Sequence, residues 1–108
     1  MTLEEYARLD AVGVAHAVAR GDVGAAEAAD LARAATARVN GVLNAVIEVY
    51  GDEPGPAGPA DGPLAGVPLL YKDAGAAEAG RLQELGSRLA ADRVAPVTSA
   101  PPRTPRPR

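Results

Sequence analysis

The 108-residue sequence has no cysteine, no phenylalanine and no tryptophan, and it has only three tyrosines. Without cysteine, the chain can form no disulfide bond and can supply no thiolate ligand or nucleophile. Leu, Ile, Val and Phe together make up about a fifth of the residues, near the level below which a chain lacks a self-sufficient core. Alanine, the commonest residue, favours helices but buries little apolar area. The composition therefore predicts local helices and a thin core.

Charge of one sign is not in large excess either, since the formal net charge is -3 and the isoelectric point is about 5.0. This balance offers no generally basic surface for nucleic acid. No apolar run reaches the length of about 18 residues that a membrane span needs. The first residues include Glu4 and Glu5 and no apolar signal core, so no secretory signal is expected. We expect a cytoplasmic protein without nucleic-acid or membrane partners.

The start of the chain has the signals of two consecutive helices. Thr2 and Glu5 have the spacing of a capping box, in which each side chain accepts a hydrogen bond from the backbone N–H of the other. Asp10 is a candidate N-cap for a second helix over residues 11–20. Gly21 would end this helix at its C′ position.

A third helix is predicted over residues 25–39, because apolar residues recur every four positions and Asn40-Gly41 can end it. Its inward-facing side chains would be Leu31, Ala35 and Val39. Residues 43–50 are short and rich in β-branched side chains, and they predict a strand. Residues 64–70 predict a second strand, interrupted by Gly66 and Pro68. Residues 76–91 again have a helical composition, broken by Gly80 and Gly86. The predicted fold class is α/β, with N-terminal helices followed by strands of an incomplete mixed sheet.

Two segments are rich in proline. The first, residues 51–63, predicts a loop that forms neither helix nor central strand. The second, residues 96–108, has five prolines, three arginines and no acidic residue, and it predicts a disordered tail after a partial domain of residues 1–95. Its P-x-x-P pattern at residues 102–105 is typical of ligands for aromatic grooves. We favour the alternative that the tail is the product of a frameshift in a gene of high GC content.

The stretch with the most specific pattern reads GPLAGVPLLYKD over residues 62–73. It resembles the lysine motif of the amidase-signature family, roughly Gly-x-Leu-x-Gly-x-Pro-x-x-x-Lys-Asp. Six residues match in order and spacing: Gly62, Leu64, Gly66, Pro68, Lys72 and Asp73. Residues 44–48 resemble the strand before this motif, and Gly86-Ser87 resembles a Gly-Ser pair that often follows it. The resemblance covers about residues 3–92.

The resemblance implies an amidase-type mixed sheet and a defined chemistry. Members of the family hydrolyse carbon–nitrogen amide bonds of small-molecule substrates with a Ser–cis-Ser–Lys triad, without a cofactor or metal. Lys72 would be the catalytic general base. A lysine kept neutral by burial would draw a proton from the nucleophilic serine through the bridging serine. The carboxylate of Asp73 would orient neighbouring groups rather than react.

The chain departs from the family pattern in its serines. Only 36 residues follow Lys72, and the family's Gly-Ser-Ser-Gly-type stretch lies farther downstream than that. Ser87 and Ser99 are the only serines, and neither has this context. Tyr71 also occupies a position that is usually aliphatic. We therefore expect a truncated N-terminal amidase fragment that is inactive alone, because its triad is incomplete.

Other candidate residues have simpler interpretations. His16, the only histidine, lies in a predicted helix without a partner residue, so neither catalysis nor metal binding is expected of it. Asp52, Glu53 and Asp61 lack the spacing of cation ligands and are interpreted as solvated loop residues. Ser87 is not expected to be a nucleophile. The alternative function is a small non-catalytic interaction module that uses the Ala-rich helices and the basic, Pro-rich tail.

Overall fold

The computed structural model describes residues 1–51 and 61–99, and the chain divides into two compact units, Met1–Leu69 and Leu70–Arg108. The first unit holds three helices: α1 (Leu3–Tyr6), α2 (Ala11–Arg20) and α3 (Ala25–Leu43). The second holds one 3₁₀ turn, Arg88–Ala90. Most of the loop predicted over residues 51–63 and most of the tail predicted over residues 96–108 lie outside the described residues. No helix in the described part is long and apolar enough to cross a membrane.

The predicted α/β fold is wrong, because no strand forms in residues 1–51 or 61–99. Of the segment predicted as the first strand, Leu43 belongs to α3 and the rest has no regular structure. Residues 64–70, predicted as the second strand, include a turn around Gly66. A strand needs a neighbouring strand for its backbone hydrogen bonds. The only bridge in the described residues, Leu82 with Val94, is isolated and antiparallel.

The caps of the first two helices confirm the sequence predictions. The Glu5 N–H donates to Thr2 Oγ1 (3.2 Å) and the Thr2 N–H donates to Glu5 Oε2 (2.7 Å), so both halves of the capping box are present. Asp10 accepts a hydrogen bond from the Gly13 N–H at 2.7 Å and begins α2. Gly21 ends α2 with a φ of 77°, in the left-handed region that glycine tolerates best.

Helix α3 begins where it was predicted but continues four residues farther, to Leu43. The reason is the side chain of Asn40, which binds the backbone after the helix instead of ending the helix itself. Its Oδ1 accepts hydrogen bonds from the N–H groups of Ala45 and Val46, both at 2.9 Å, and its Nδ2 donates to the Val46 carbonyl at 2.8 Å. Asn44 then takes the left-handed C-cap position, with a φ of 47°.

The chain that leaves α3 is held by Arg33. Its Nε donates to the Tyr50 carbonyl at 3.0 Å, and a terminal nitrogen donates to the Gly51 carbonyl at 2.6 Å. The other terminal nitrogen pairs with Asp30, one turn earlier, at 2.6 Å. Residues 45–51 are therefore positioned by side-chain contacts to α3 and not by pairing within a sheet.

The first unit has the thin core that the composition predicts. Four buried side chains form its centre: Val14, Ala17, Val23 and Ala28. Leu31 packs against this cluster as predicted, and so does Val67 from the lysine motif. Val39, predicted to face inward, is 46% exposed. Since no large side chain in the described residues is fully buried, packing stabilises this unit through small groups.

The second unit contains no long helix, so the helix predicted over residues 76–91 is wrong in the described chain. Glycines at positions 80 and 86 have φ values of 81° and 66°, which break a right-handed helix. Backbone hydrogen bonds connect Gln83 N–H to the Arg93 carbonyl (2.8 Å) and Ala95 N–H to the Arg81 carbonyl (2.9 Å). The described part of this unit, residues 70–99, is a folded-back loop.

Candidate functional site

The first part of the lysine motif is a turn packed on the helices of the first unit. The Ala65 N–H donates to the Gly62 carbonyl at 3.0 Å, and the Val67 N–H donates to the Leu64 carbonyl at 3.2 Å. Gly66 has a φ of 76°. A Cβ at this position would lie 2.8 Å from Val18 Cγ1, which is closer than real contacts allow. Position 66 therefore requires glycine for two reasons: the positive φ and the lack of room for a Cβ.

Lys72 follows in the second unit, and its side chain is exposed. Its carbonyl accepts a hydrogen bond from the Gly75 N–H at 3.0 Å, which closes a turn. A Cβ built on Gly75 would lie 3.5 Å from Lys72 Cβ, so the stem of the lysine runs beside this glycine. The described residues do not bury the amine, and they do not supply the desolvation expected for a neutral lysine base.

Asp73 connects this turn to a segment 11 to 13 residues farther along the chain. Its Oδ1 accepts a hydrogen bond from the Glu84 N–H at 2.8 Å, and its Oδ2 accepts one from the Gly86 N–H at 2.9 Å. These N–H donors, with Gly86 the strongest, hold the pKa of the Asp73 carboxyl below its ordinary value because they bind its ionised form. Asp73 thus orients backbone groups.

The segment that Asp73 binds has an unusual backbone. Leu85 and Gly86 are consecutive residues with positive φ values, 57° and 66°. The Ser87 N–H donates to the Glu84 carbonyl at 2.9 Å and closes a turn over these residues. Successive N–H groups in a turn can form an anion-binding concavity. Here the concavity, which we call the nest (Glu84–Gly86), is occupied by the chain's own carboxylate.

The hydroxyls of both serines accept hydrogen bonds from backbone N–H groups of the second unit. Ser87 Oγ accepts a hydrogen bond from the Leu89 N–H at 3.2 Å and caps the 3₁₀ turn. Ser99 Oγ accepts one from the Ala77 N–H at 3.0 Å, and the Ser99 N–H donates to the Ala77 carbonyl at 2.8 Å. Both hydroxyls therefore stabilise loops of the second unit.

The remaining candidates do not form a site in the described part of the chain. His16 is exposed on α2, and no group of three or more His, Cys, Asp or Glu side chains suits a metal among the described residues. Asp52 and Glu53 lie outside those residues, and Asp61 is exposed. One carboxylate oxygen of Glu78 is buried without a hydrogen-bond partner there. A single oxygen does not make a cation site.

Comparisons with models of protein families, with curated proteins and with solved structures found no match to this chain. The function therefore rests on the residues themselves.

Reasoning from the sequence missed one feature of the site, the pairing of Asp73 with the nest, because no local spacing signals a contact 11 to 13 residues along the chain. Lys72, which the motif identified, is the only lysine in a chain with ten arginines.

Proposed function

We propose that this chain is the lysine-bearing N-terminal segment of an amidase-signature hydrolase. The observation that carries the proposal is the match of six motif residues, in register, ending at Lys72 and Asp73. The intact enzyme would hydrolyse a carbon–nitrogen amide bond of a small-molecule substrate in the cytoplasm, without a cofactor. Its nucleophilic and bridging serines would come from the family's Gly-Ser-Ser-Gly-type stretch.

The residue types at two motif positions support this proposal on physical grounds. Gly66 has no room for a side chain, so the motif glycine is needed for the turn that precedes Lys72. Lys72 is the only lysine of the chain. A lysine can lose its proton and act as a base, whereas an arginine guanidinium stays protonated. The chain therefore carries the one cationic residue type that the family's chemistry requires, at the position where the motif places it.

In this proposal Lys72 accepts the proton of the nucleophilic serine through the bridging serine. The exposure of Lys72 in the described residues means that the burial which favours a neutral amine would come from other parts of the intact enzyme. Ser87 and Ser99 cap loops and do not take the serine roles. The chain of 108 residues is therefore inactive by itself.

The proposal is tested first on the gene. The coding DNA after codon 95 is read in its two other frames, and a Gly-Ser-Ser-Gly-like stretch is expected in one of them. The reframed enzyme is then assayed on simple amides. Lys72→Ala and Lys72→Arg should both lower kcat by about 10⁴-fold or more, as loss of a triad member does. Arg88→Ala, which removes an exposed cation from the same unit, is the matched control and should keep full activity.

The absence of a serine stretch in all frames would overturn the amidase proposal. Saturable amide hydrolysis by the 108-residue chain that Lys72→Ala abolishes would overturn the claim that this chain is inactive by itself. The first result shifts the assignment to another class, and the second means that the triad of the family is not used.

The second candidate is a small non-catalytic interaction module. Exposed apolar side chains at the end of α3 favour it, since Val42 is 91% exposed and Leu43 is 65% exposed. Exposed apolar side chains mark a contact site where they join into a large patch. A sharp, reversible thermal transition of a monomer, together with no amidase continuation in the gene, would favour the module over the amidase.

A further inference from the structure

We propose that Asp73 is the positioning residue for Lys72, and that it acts by supplying the anion around which the nest (Glu84–Gly86) is built. The inference rests on the proposed function for the role of Lys72, but its geometry and its test do not involve hydrolysis. It assigns a specific task to the second residue of the Lys-Asp pair.

The carboxylate is matched to the nest through both oxygens. Oδ1 binds the Glu84 N–H and Oδ2 binds the Gly86 N–H, and the N–H of the intervening Leu85 also favours the ionised form and lowers the pKa. Leu85 has a positive φ, a conformation that disfavours residues with a side chain. The backbone at Leu85 is therefore held by the anion and not by its own conformational preference.

An amide cannot replace the carboxylate here. Asparagine has nearly the shape of aspartate but offers one acceptor oxygen and one donor NH₂ group. In Asp73→Asn, one of the two nest N–H groups would face a donor and lose its partner. The substitution thus removes the anion while it leaves the size of the side chain almost unchanged.

Anchoring Asp73 also fixes Lys72, because the two residues share one closed turn. The Lys72 carbonyl accepts the Gly75 N–H at 3.0 Å, and the lysine stem runs beside Gly75. With the Asp73 carboxylate held by the nest, the backbone from Lys72 to Gly75 has one orientation, and the lysine stem leaves it in one direction. Tethering through the chain is essential to this effect, since a free anion in the nest would not hold Lys72.

The nest and its neighbour Gln83 also form hydrogen bonds with residues farther along the second unit. Glu84 Oε1 accepts a hydrogen bond from the Asp92 N–H at 2.9 Å. The neighbouring Gln83 N–H donates to the Arg93 carbonyl at 2.8 Å. Removal of the Asp73 carboxylate is therefore expected to change the amide shift of Asp92 as well, by less than it changes the amide shifts of Glu84 and Gly86.

The experiment is solution NMR of the full chain, uniformly labelled, as wild type, Asp73→Asn and Asp73→Ala. Two signals are followed: the amide shifts and exchange protection of Glu84 and Gly86, which report the nest, and NOEs between the Lys72 side chain and Gly75, which report the position of the lysine. Both are expected to be lost in the two variants. Asp92→Asn is the matched control, because it neutralises another carboxylate of the same unit and should retain both signals.

Formate separates the positioning role from a purely structural one. Added to Asp73→Ala, formate should restore the Glu84 and Gly86 signals by filling the nest. It should not restore the NOEs between Lys72 and Gly75, because formate has no covalent link to Lys72. If these NOEs persist in Asp73→Ala while the nest signals are lost, Asp73 does not position Lys72 and the proposal is overturned.

Wild-type protein alone provides a measurement that does not depend on the variants folding. As Asp73 is protonated, its carboxyl carbon and the amide of Gly86, which has no ionisable side chain of its own, should shift with one common midpoint. Separate midpoints would overturn the proposal. Unchanged Glu84 and Gly86 signals in Asp73→Asn would also overturn it. None of these outcomes bears on whether the intact enzyme hydrolyses amides, so failure here and failure of the proposed function are distinguishable.

Discussion

Each of the two units of the chain is stabilised by a different kind of interaction. In Met1–Leu69, α1 and α2 are capped by side chains three residues away, and the unit is centred on a small apolar cluster. In the described part of Leu70–Arg108, only a 3₁₀ turn is helical, and side-chain oxygens of Asp73, Glu84 and Ser99 bind backbone N–H groups. The stability of the first unit should therefore depend on side-chain volume and helix caps. The structure of the second unit should depend on the charge of its carboxylates.

The largest effect is expected from Gly66→Ala in the first unit. The new alanine would have to keep the positive φ of Gly66. Its Cβ would lie 2.8 Å from Val18 Cγ1 and 3.1 Å from Ala25 Cβ. Strain and overpacking together should lower the free energy of unfolding by about 2–4 kcal/mol. Thermal unfolding followed by circular dichroism at the helix band measures it.

Gly41→Ala is the matched control for this prediction. Gly41 lies within α3, and a Cβ there would meet no atom within 4 Å. Alanine is the better helix former, so this variant should gain up to about 1 kcal/mol of stability. Equal losses in both variants would contradict the argument that packing of the motif turn makes Gly66 necessary.

Asp10→Ala tests capping in the same unit. Its carboxylate accepts the Gly13 N–H at 2.7 Å, and its removal leaves a donor of the first turn of α2 without a partner. A loss of about 1 kcal/mol is expected in denaturant unfolding. Asp22→Ala removes an exposed carboxylate whose ion pair with Arg20 is at the surface, so it should change stability by less than about 0.5 kcal/mol. A similar loss in the two variants would indicate a general charge effect instead of a cap.

Acid should act on the second unit through Asp73. The pKa of Asp73 is lowered in the folded chain, chiefly by the Gly86 N–H, so the unfolded chain binds the proton more readily. The stabilising contribution is complete above the ordinary pKa of 3.8 and is lost as the pH falls through the lower, folded value. We expect the amide shifts of Glu84 and Gly86 to change over that range in wild type and to be insensitive to it in Asp73→Asn. A change that survives in Asp73→Asn would assign the acid response to another carboxyl group.

Raising the pH into the alkaline range should have the smallest effect on stability, through the ion pair at the N-terminus of the first unit. The Met1 ammonium pairs with Glu27 Oε1 at 3.0 Å, and this hydrogen bond raises the pKa of the amine above its ordinary value of 8.0. The contribution is fully present below 8.0 and is lost as the pH rises through the higher, folded value. Melting temperatures of wild type and Glu27→Gln should therefore differ at neutral pH and converge in alkali. A constant difference would mean that Glu27 acts through another contact.

The sequence predicts those parts of the fold that depend on neighbours a few residues apart. The capping box of Thr2 and Glu5, the N-cap Asp10 and the C-cap Gly21 are all found where their spacing indicates. Each joins atoms within one turn of helix, so the residue types alone are sufficient. The start of α3 at Ala25 was predicted from the apolar residues that recur every four positions along that helix. Lys72 was identified from the spacing of the motif, and its catalytic role remains a prediction.

Tertiary structure decided what the apolar and polar residues after α3 do. Residues 43–50 and 64–70 have strand composition, but a strand forms only where another strand accepts its hydrogen bonds, and none lies beside them in the described chain. Asn40 and Arg33 bind that backbone instead. The pairing of Asp73 with Glu84 and Gly86 depends on contacts 11 to 13 residues apart, which local spacing does not encode. Only the folded-back path of the chain brings that carboxylate to the N–H groups that need an anion.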